Sequence, residues 1–346
     1  MDRKDFLMKT ITLMSGKGGS GKTTLAITMA DIFSRCGLKV LLVDCDFSTY
    51  GATYLYEDRL VDLYPDVPSF FDVVINDAPP LNGVNIDENF CFLPSVKHAA
   101  DGFEEYDFMS SDTAAERVRN FIYSVHDTDL IIFDCRSGGS KTLYSVLPNT
   151  DIFLVVMEPD AANAQTLRGI RKKIDFFCPS VDIYYVFNKV FNDKKEFCDS
   201  LFLGEPFVNA GHLPYDAALP DWISSDDDFL VCGGDYKLHV CSLCDRMINI
   251  IFRDKDIDGG ISDNLHSLIT KLEGSSRSRH FLDIIKNIHP WITAFLFIIS
   301  AFVSMFVLQA CYDFGIPRLF IILLCSLIMA GPLLFLGLLY KFAIEP

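Results

Sequence analysis

Short, almost wholly apolar runs ending in polar or charged residues recur along the first 215 positions of this chain. Thr10–Met14 (TITLM), Val40–Val43 (VLLV), Leu130–Phe133 (LIIF), Ile152–Met157 (IFLVVM) and Ile183–Phe187 (IYYVF) are each four to six residues long. Runs of that length, apolar on both faces and rich in β-branched residues, are expected of strands buried in a parallel sheet. Longer stretches with helical periodicity separate them, such as Thr24–Cys36, closed by Gly37, and Ala162–Phe177. Strand and helix in alternation predict an α/β fold, a doubly wound and mostly parallel sheet with right-handed crossovers. In such sheets the polar residues that end the strands collect at one edge, where ligands bind.

A different pattern takes over near the carboxyl end. Trp291–Tyr312 is apolar apart from Thr293, Ser300, Ser304 and Gln309, and Leu319–Tyr340 is a second such run, interrupted by Gly331-Pro332. Each is about 22 residues, against the roughly 20 a bilayer-spanning helix requires. Only Asp313–Arg318 lies between them, so the expectation is a transmembrane helical hairpin over 290–346, spans 291–312 and 319–340. Trp291, Tyr312 and Tyr340 stand where aromatic belts form, and Arg277, Arg279, Lys286 and Lys341 flank the hairpin on one side. Residues 1–252 form the expected catalytic domain and 253–289 an acidic linker and juxtamembrane segment, with Gly274–Arg279 (GSSRSR) reading as linker.

Between the first strand and first helix lies Gly16-Lys17-Gly18-Gly19-Ser20-Gly21-Lys22-Thr23-Thr24, which meets the phosphate-loop pattern G-x-x-x-x-G-K-[ST]. Glycines there allow successive backbone N–H groups to turn toward one anion at a helix start. Lys22 is positioned to reach the β- and γ-phosphates and the Thr23 hydroxyl to ligate Mg2+.

With the additional Lys17, the run KGGSGKTT resembles the deviant Walker A loop of the MinD/ParA family of P-loop ATPases. The resemblance covers roughly residues 9–252. It implies ATP and Mg2+ as cofactors, bound by Gly18, Gly19, Ser20, Gly21, Lys22, Thr23 and Thr24. It also implies a homodimer across the nucleotide, with Lys17 reaching the partner's phosphates. Asp44-Cys45-Asp46 looks like the family's D-x-D switch, which makes Asp46 the residue that positions the attacking water and Asp44 part of the magnesium shell. Asp134 reads as the Walker B acid and a third metal-site residue. Arg136 after it is a departure, because proline is common there; phosphate contact and pairing with a carboxylate both remain open for it. Asn188 would read the adenine, and Gly211–Asp216 (GHLPYD), with Pro214, resembles the loop that closes over the base. Catalysis is thereby assigned to Lys17, Lys22 and Asp46.

The net charge is −16. Arg318 and Lys341 cancel Asp313 and Glu345 beyond residue 289, so all of it falls on the rest of the chain. Non-specific nucleic-acid binding needs a basic surface, so a nucleic-acid partner is disfavoured. Eleven scattered cysteines and a charged N-terminus point to a reducing cytosol rather than a disulfide framework. Cys241-x-x-Cys244 reads as buried small residues rather than a metal pair. Asp254, Asp256 and Asp258 begin like a calcium loop, but Leu265 stands where its bidentate glutamate belongs.

Taken together, the expectation is a membrane-anchored ATPase switch in the bacterial inner membrane, with ATPase domain and both termini in the cytosol. It would act on other membrane or cytosolic proteins of a multi-component system. A tyrosine-kinase-like enzyme is an alternative, although those enzymes usually place the hairpin first and end in a tyrosine cluster. A structural membrane subunit with a non-turnover ATP site is the other.

Overall fold

The computed structural model describes residues 8–56, 69–75, 83–96, 111–178, 181–191, 194–202, 204–216, 219, 235–252 and 259–287, together with 303 and 305. The elements in chain order are β1 (Lys9–Ser15), α1 (Lys22–Arg35), β2 (Val40–Asp44), α2 (Gly51–Leu55), α3 (Phe70–Ile75), β3 (Val84–Asp87) and β4 (Phe90–Leu93). These are followed by α4 (Ser111–Ser124), β5 (Leu130–Asp134), α5 (Lys141–Val146), β6 (Ile152–Met157) and α6 (Ala161–Phe177). The remainder are β7 (Ile183–Val190), α7 (Lys195–Ser200), β8 (Val208–Pro214), α8 (Asp235–Ile251) and α9 (Gly259–Asn287).

Eight strands form one sheet in the order β3-β4-β2-β5-β1-β6-β7-β8. All neighbours are parallel except the β3–β4 pair at one edge. The expected doubly wound sheet is therefore present, and every residue of β2, β5 and β6 is buried.

Alternation along the strands splits the core into two layers. Ile11, Leu13, Leu42 and Ile132 face α1, α8 and the first half of α9. Met14, Leu41, Val43, Ile131 and Phe133 face α3, α4, α5 and α6. Burial on both faces explains why these strands read as continuous apolar runs rather than as alternating ones. Parallel pairing aligns the carboxyl ends of β1, β2, β5, β6, β7 and β8 on one edge of the sheet.

The segment after residue 252 departs from the expected linker. Gly259–Asn287 is one 29-residue helix, and it includes the GSSRSR stretch. Leu265, Leu268 and Leu272 recur at helical spacing and are buried in the first core layer. The Asn264 side chain also donates to the Cys36 carbonyl at 3.2 Å. The first compact unit accordingly extends to Leu272, and a second unit begins at Glu273. Leu265, the residue at the twelfth position of the calcium-like loop, is 1% exposed and packed in the core; Asp254, Asp256 and Asp258 lie outside the described residues.

Cys241 and Cys244 are buried on α8 as expected, and no group of three or more metal-ligating side chains occurs among the described residues. The described cysteines are free thiols. The two long apolar runs lie outside the described residues apart from Val303 and Met305. No helix of the described residues is long and apolar enough to cross a membrane.

Candidate nucleotide-binding site

The loop between β1 and α1 borders a cavity of about 570 Å³ at the carboxyl edge of the sheet. Gly18 to Thr24 line it, joined by Asp46 and Thr49 after β2, Arg136 and Ser137 after β5, Asn188 and Lys189 on β7, and Pro214 to Asp216 after β8. Five separate loops thus meet at one hollow, as strand order demands. Gly16 and Lys17, at the start of the loop, are not among the lining residues.

The local conformation explains the glycines. Gly21 is the residue before α1 and has φ +83, a left-handed value that a side chain rarely adopts. A Cβ there would lie 2.3 Å from Asn188 Nδ2. Gly16 is needed for a different reason, since its Cβ would meet the Thr166 methyl on α6 at 2.6 Å. No side chain caps α1. Its first-turn N–H groups are therefore left for an anion, and the positive end of the helix dipole adds to the attraction.

Lys22 is buried, 7% exposed, and its ammonium is paired with Asp134 Oδ1. Burial alone would lower its pKa, but the Asp134 carboxylate outweighs that, and the group stays charged with its pKa raised. Lys22 Nζ also lies 3.4 Å from the Thr23 hydroxyl. The other Asp134 oxygen is buried without a hydrogen-bond partner among the described residues. An orphaned carboxylate oxygen next to a lysine and a threonine hydroxyl is a cation-seeking arrangement, so Thr23 and Asp134 fit Mg2+.

Asp44 is placed differently. It pairs in register with Asp134 on the neighbouring strand. Its Oδ1 accepts from the Asp46 N–H at 2.9 Å, and its Oδ2 accepts from the Thr53 N–H at 2.9 Å and hydroxyl at 2.8 Å. Asp44 is fully buried and does not line the cavity. Its described hydrogen bonds anchor α2 beneath the site.

Burial, and after it the adjacent Asp134 carboxylate, push the Asp44 carboxyl up to about 7 from 3.8. A group whose native pKa is raised binds its proton more tightly in the folded state. Its contribution to stability therefore falls as pH rises from about 4 to about 7. Asp44→Asn cannot ionise, so the melting temperature of D44N relative to wild type should climb as pH is raised across that window. Lost hydrogen bonds would offset the two curves by a constant, so the slope of the difference is the readout. A flat difference would refute the raised carboxyl.

Asp46 sits at the cavity wall, and both its oxygens are engaged by the following turn. Oδ1 accepts from the Ser48 hydroxyl at 2.7 Å and from the Ser48 and Thr49 N–H groups at 3.1 Å. Oδ2 accepts from the Thr49 hydroxyl at 2.6 Å. Burial pushes this carboxyl up, but the bonds from Thr49 and Ser48 together outweigh it and hold it below the usual carboxylate value. Asp46 is thus an ionised acceptor at pH 7.

Asn188 Nδ2 donates to the Ser20 carbonyl at 2.8 Å, and its Oδ1 accepts from the Lys189 N–H at 2.9 Å. Asn188 therefore ties β7 to the phosphate loop as well as lining the cavity. Pro214 stands at the end of β8 opposite it. Lys17 is exposed at the rim.

Lys189 and its partner Glu158 are residues at the site with no role assigned from sequence. Lys189, at φ +59, donates from its ammonium to the Gly19 carbonyl and pairs with Glu158 Oε1 at 2.8 Å. It clamps the phosphate loop to the ends of β6 and β7. The only available signal was polar residues directly after two apolar strands.

A family model for the CobQ/CobB/MinD/ParA nucleotide-binding domain matches residues 11–229. The chain belongs to this family. Among its curated relatives, an uncharacterised ATP-binding protein of Methanocaldococcus jannaschii is 25% identical over 150 residues, 43% of this chain and 53% of the relative. The septum site-determining protein MinD of Synechocystis is 26% identical over 156 residues, 44% of this chain and 54% of the relative. The chain thus spans about half the length of these relatives. Among solved structures, a plasmid partition protein of Borrelia burgdorferi bound to AMPPNP superposes with a TM-score of 0.59 at 19% identity, over 70% of this chain and 99% of that one. At that identity the likeness establishes the MinD/ParA-type fold. The phosphate loop that borders the cavity lies within the matched residues.

Proposed function

We propose that this protein is a membrane-anchored, Mg2+-dependent ATPase that dimerises on ATP. It acts as a switch that positions or regulates partner proteins at the bacterial inner membrane. The observation that carries this reading is the contrast between the two lysines of one loop. Lys22 is buried and paired with Asp134 inside its own site, whereas Lys17, five residues earlier, is exposed at the rim with no ion pair among the described residues. An exposed cation that does not line its own cavity is suited to a phosphate held by a second subunit.

Binding of ATP would draw Lys22 from Asp134 toward the phosphates, and Mg2+ would supply the cation that Asp134 then needs. The metal provides charge neutralisation at the phosphate oxygens. Thr23 and Asp134 would hold it, while Asp46, ionised and at the cavity wall, would accept a hydrogen bond from the attacking water. The AMPPNP in the Borrelia relative supports ATP as the ligand. Membrane attachment is supported by the length of the runs at 291–312 and 319–340. Two spanning helices make it permanent, so nucleotide state would govern pairing within the membrane rather than recruitment to it. A net charge of −16 opposes a DNA-borne role.

Lys17→Ala tests the dimer. Nucleotide binding by the dilute protein should stay within about threefold of wild type. Turnover should fall by at least about tenfold, which is about 1.4 kcal/mol of transition-state stabilisation, and lose its dependence on protein concentration. Wild-type turnover in K17A would reject a trans-acting lysine.

A further inference from the structure

We propose that Arg136 binds the terminal phosphate of the nucleotide in its own subunit and gives the site its preference for a triphosphate over a diphosphate. The proposal rests on the reading above that the cavity holds ATP.

The cavity has two chemically distinct ends. Asn188, Pro214, Tyr215, Leu219 and Tyr236 line one end, where β7 and β8 stop; this end suits a base. Lys22, Thr23, Asp46, Thr49, Arg136 and Ser137 line the other. The strand order β2-β5-β1-β6-β7-β8 separates them, with the phosphate loop of β1 between. A nucleotide whose base lies toward β8 and whose phosphates lie in the loop must point its last phosphate toward β5 and β2. Arg136 follows the end of β5 by two residues, so it stands at that last phosphate.

Its backbone is held there. The Cys135 N–H donates to the Leu13 carbonyl at 3.0 Å and the Gly138 N–H to the Ser15 carbonyl at 2.7 Å, tying both sides of Arg136 to β1. Cys135 is fully buried, and Arg136, next along the chain, turns to the cavity wall. A phosphate oxygen bound by Arg136 therefore meets a guanidinium carried on backbone that is fixed before the ligand arrives.

Charge balance favours such a group in addition to the magnesium the site would hold. Asp46 lines this end beside the buried pair of Lys22 and Asp134. Lys189 also lines the cavity, but it stands on β7, where it meets Gly19 and Glu158. A third phosphate adds negative charge where carboxylates already stand. A guanidinium fork matches phosphate oxygens in geometry as well as in charge.

Binding of AMPPNP and of ADP, measured by calorimetry on the full-length protein in detergent with Mg2+, tests the assignment. Arg136→Ala should weaken AMPPNP on the order of tenfold to a hundredfold, the range for a hydrogen bond to a charged group, and leave ADP within about threefold. Arg136→Lys, which keeps the charge and loses the fork, should fall between; it carries the test if R136A melts early. Equal losses for both nucleotides, or no loss for either, would overturn the proposal. Wild-type protein that binds neither nucleotide would instead refute the ATP reading on which it rests.

Discussion

Lys22→Ala should abolish binding of both ADP and AMPPNP, and it should also destabilise the protein in the absence of any nucleotide. The first effect follows from removal of the cation that meets the β- and γ-phosphates. The second follows from the structure, because Lys22 is the ion-pair partner of buried Asp134. Removing one member of a buried pair strands the other, at a cost of about 3–5 kcal/mol. Asp134 can take up a proton to reduce that cost, so we expect a value near the lower bound. At roughly 2–4 °C per kcal/mol for a domain of this size, the melting temperature should drop by about 6–12 °C. Lys22→Ala/Asp134→Asn should regain most of that stability and none of the binding. A loss of binding with unchanged stability would mean that Asp134 is not buried against Lys22 in the nucleotide-free protein. Retained binding in K22A would remove the loop from the phosphate site altogether.

Asp46→Ala should leave ATP binding intact, reduce hydrolysis by roughly two to three orders of magnitude, as removal of a general base does, and accumulate the ATP-bound dimer. Chromatography in detergent with ATP and Mg2+ would show the dimer, and phosphate release would show the rate. The hydrogen bonds around Asp46 add a further expectation. Ser48 and Thr49 currently occupy both carboxylate oxygens, so an attacking water must share them or displace one hydroxyl. Native hydrolysis in D46A would reject Asp46 as the water-positioning acid. The trapped dimer is also the form in which a partner protein should be captured most efficiently.

Much of the site was legible before any fold was known, because the chemistry of a phosphate loop is local. Glycines that permit left-handed backbone, a lysine and a hydroxyl at the helix start must sit within nine residues, and Gly16 to Thr24 carry them in order. The strands that deliver Asp44, Asp134 and Asn188 were equally plain, since burial on both faces leaves no polar position inside them. Short elements were not legible. The β3–β4 hairpin and α2 are four or five residues long, too short for a periodicity to register.

The linker was misread for a related reason. Its Gly and Ser residues are weak helix formers, yet Leu265, Leu268 and Leu272 pack into the core and hold the first half of the helix.

The sequence by itself determined the class of protein: a parallel α/β fold, a phosphate loop with one lysine more than its own site requires, and carboxylates at strand ends. Tertiary structure alone decided how those groups are spent. Lys22 meets Asp134 across 112 residues, and Lys189 meets Gly19 across 170. Strand order and register bring such pairs together, and no local pattern encodes either. For that reason the chain announces a phosphate loop, while only the folded sheet shows Asp44 anchoring α2, Asp46 held by its own turn, and Arg136 lining the cavity after β5.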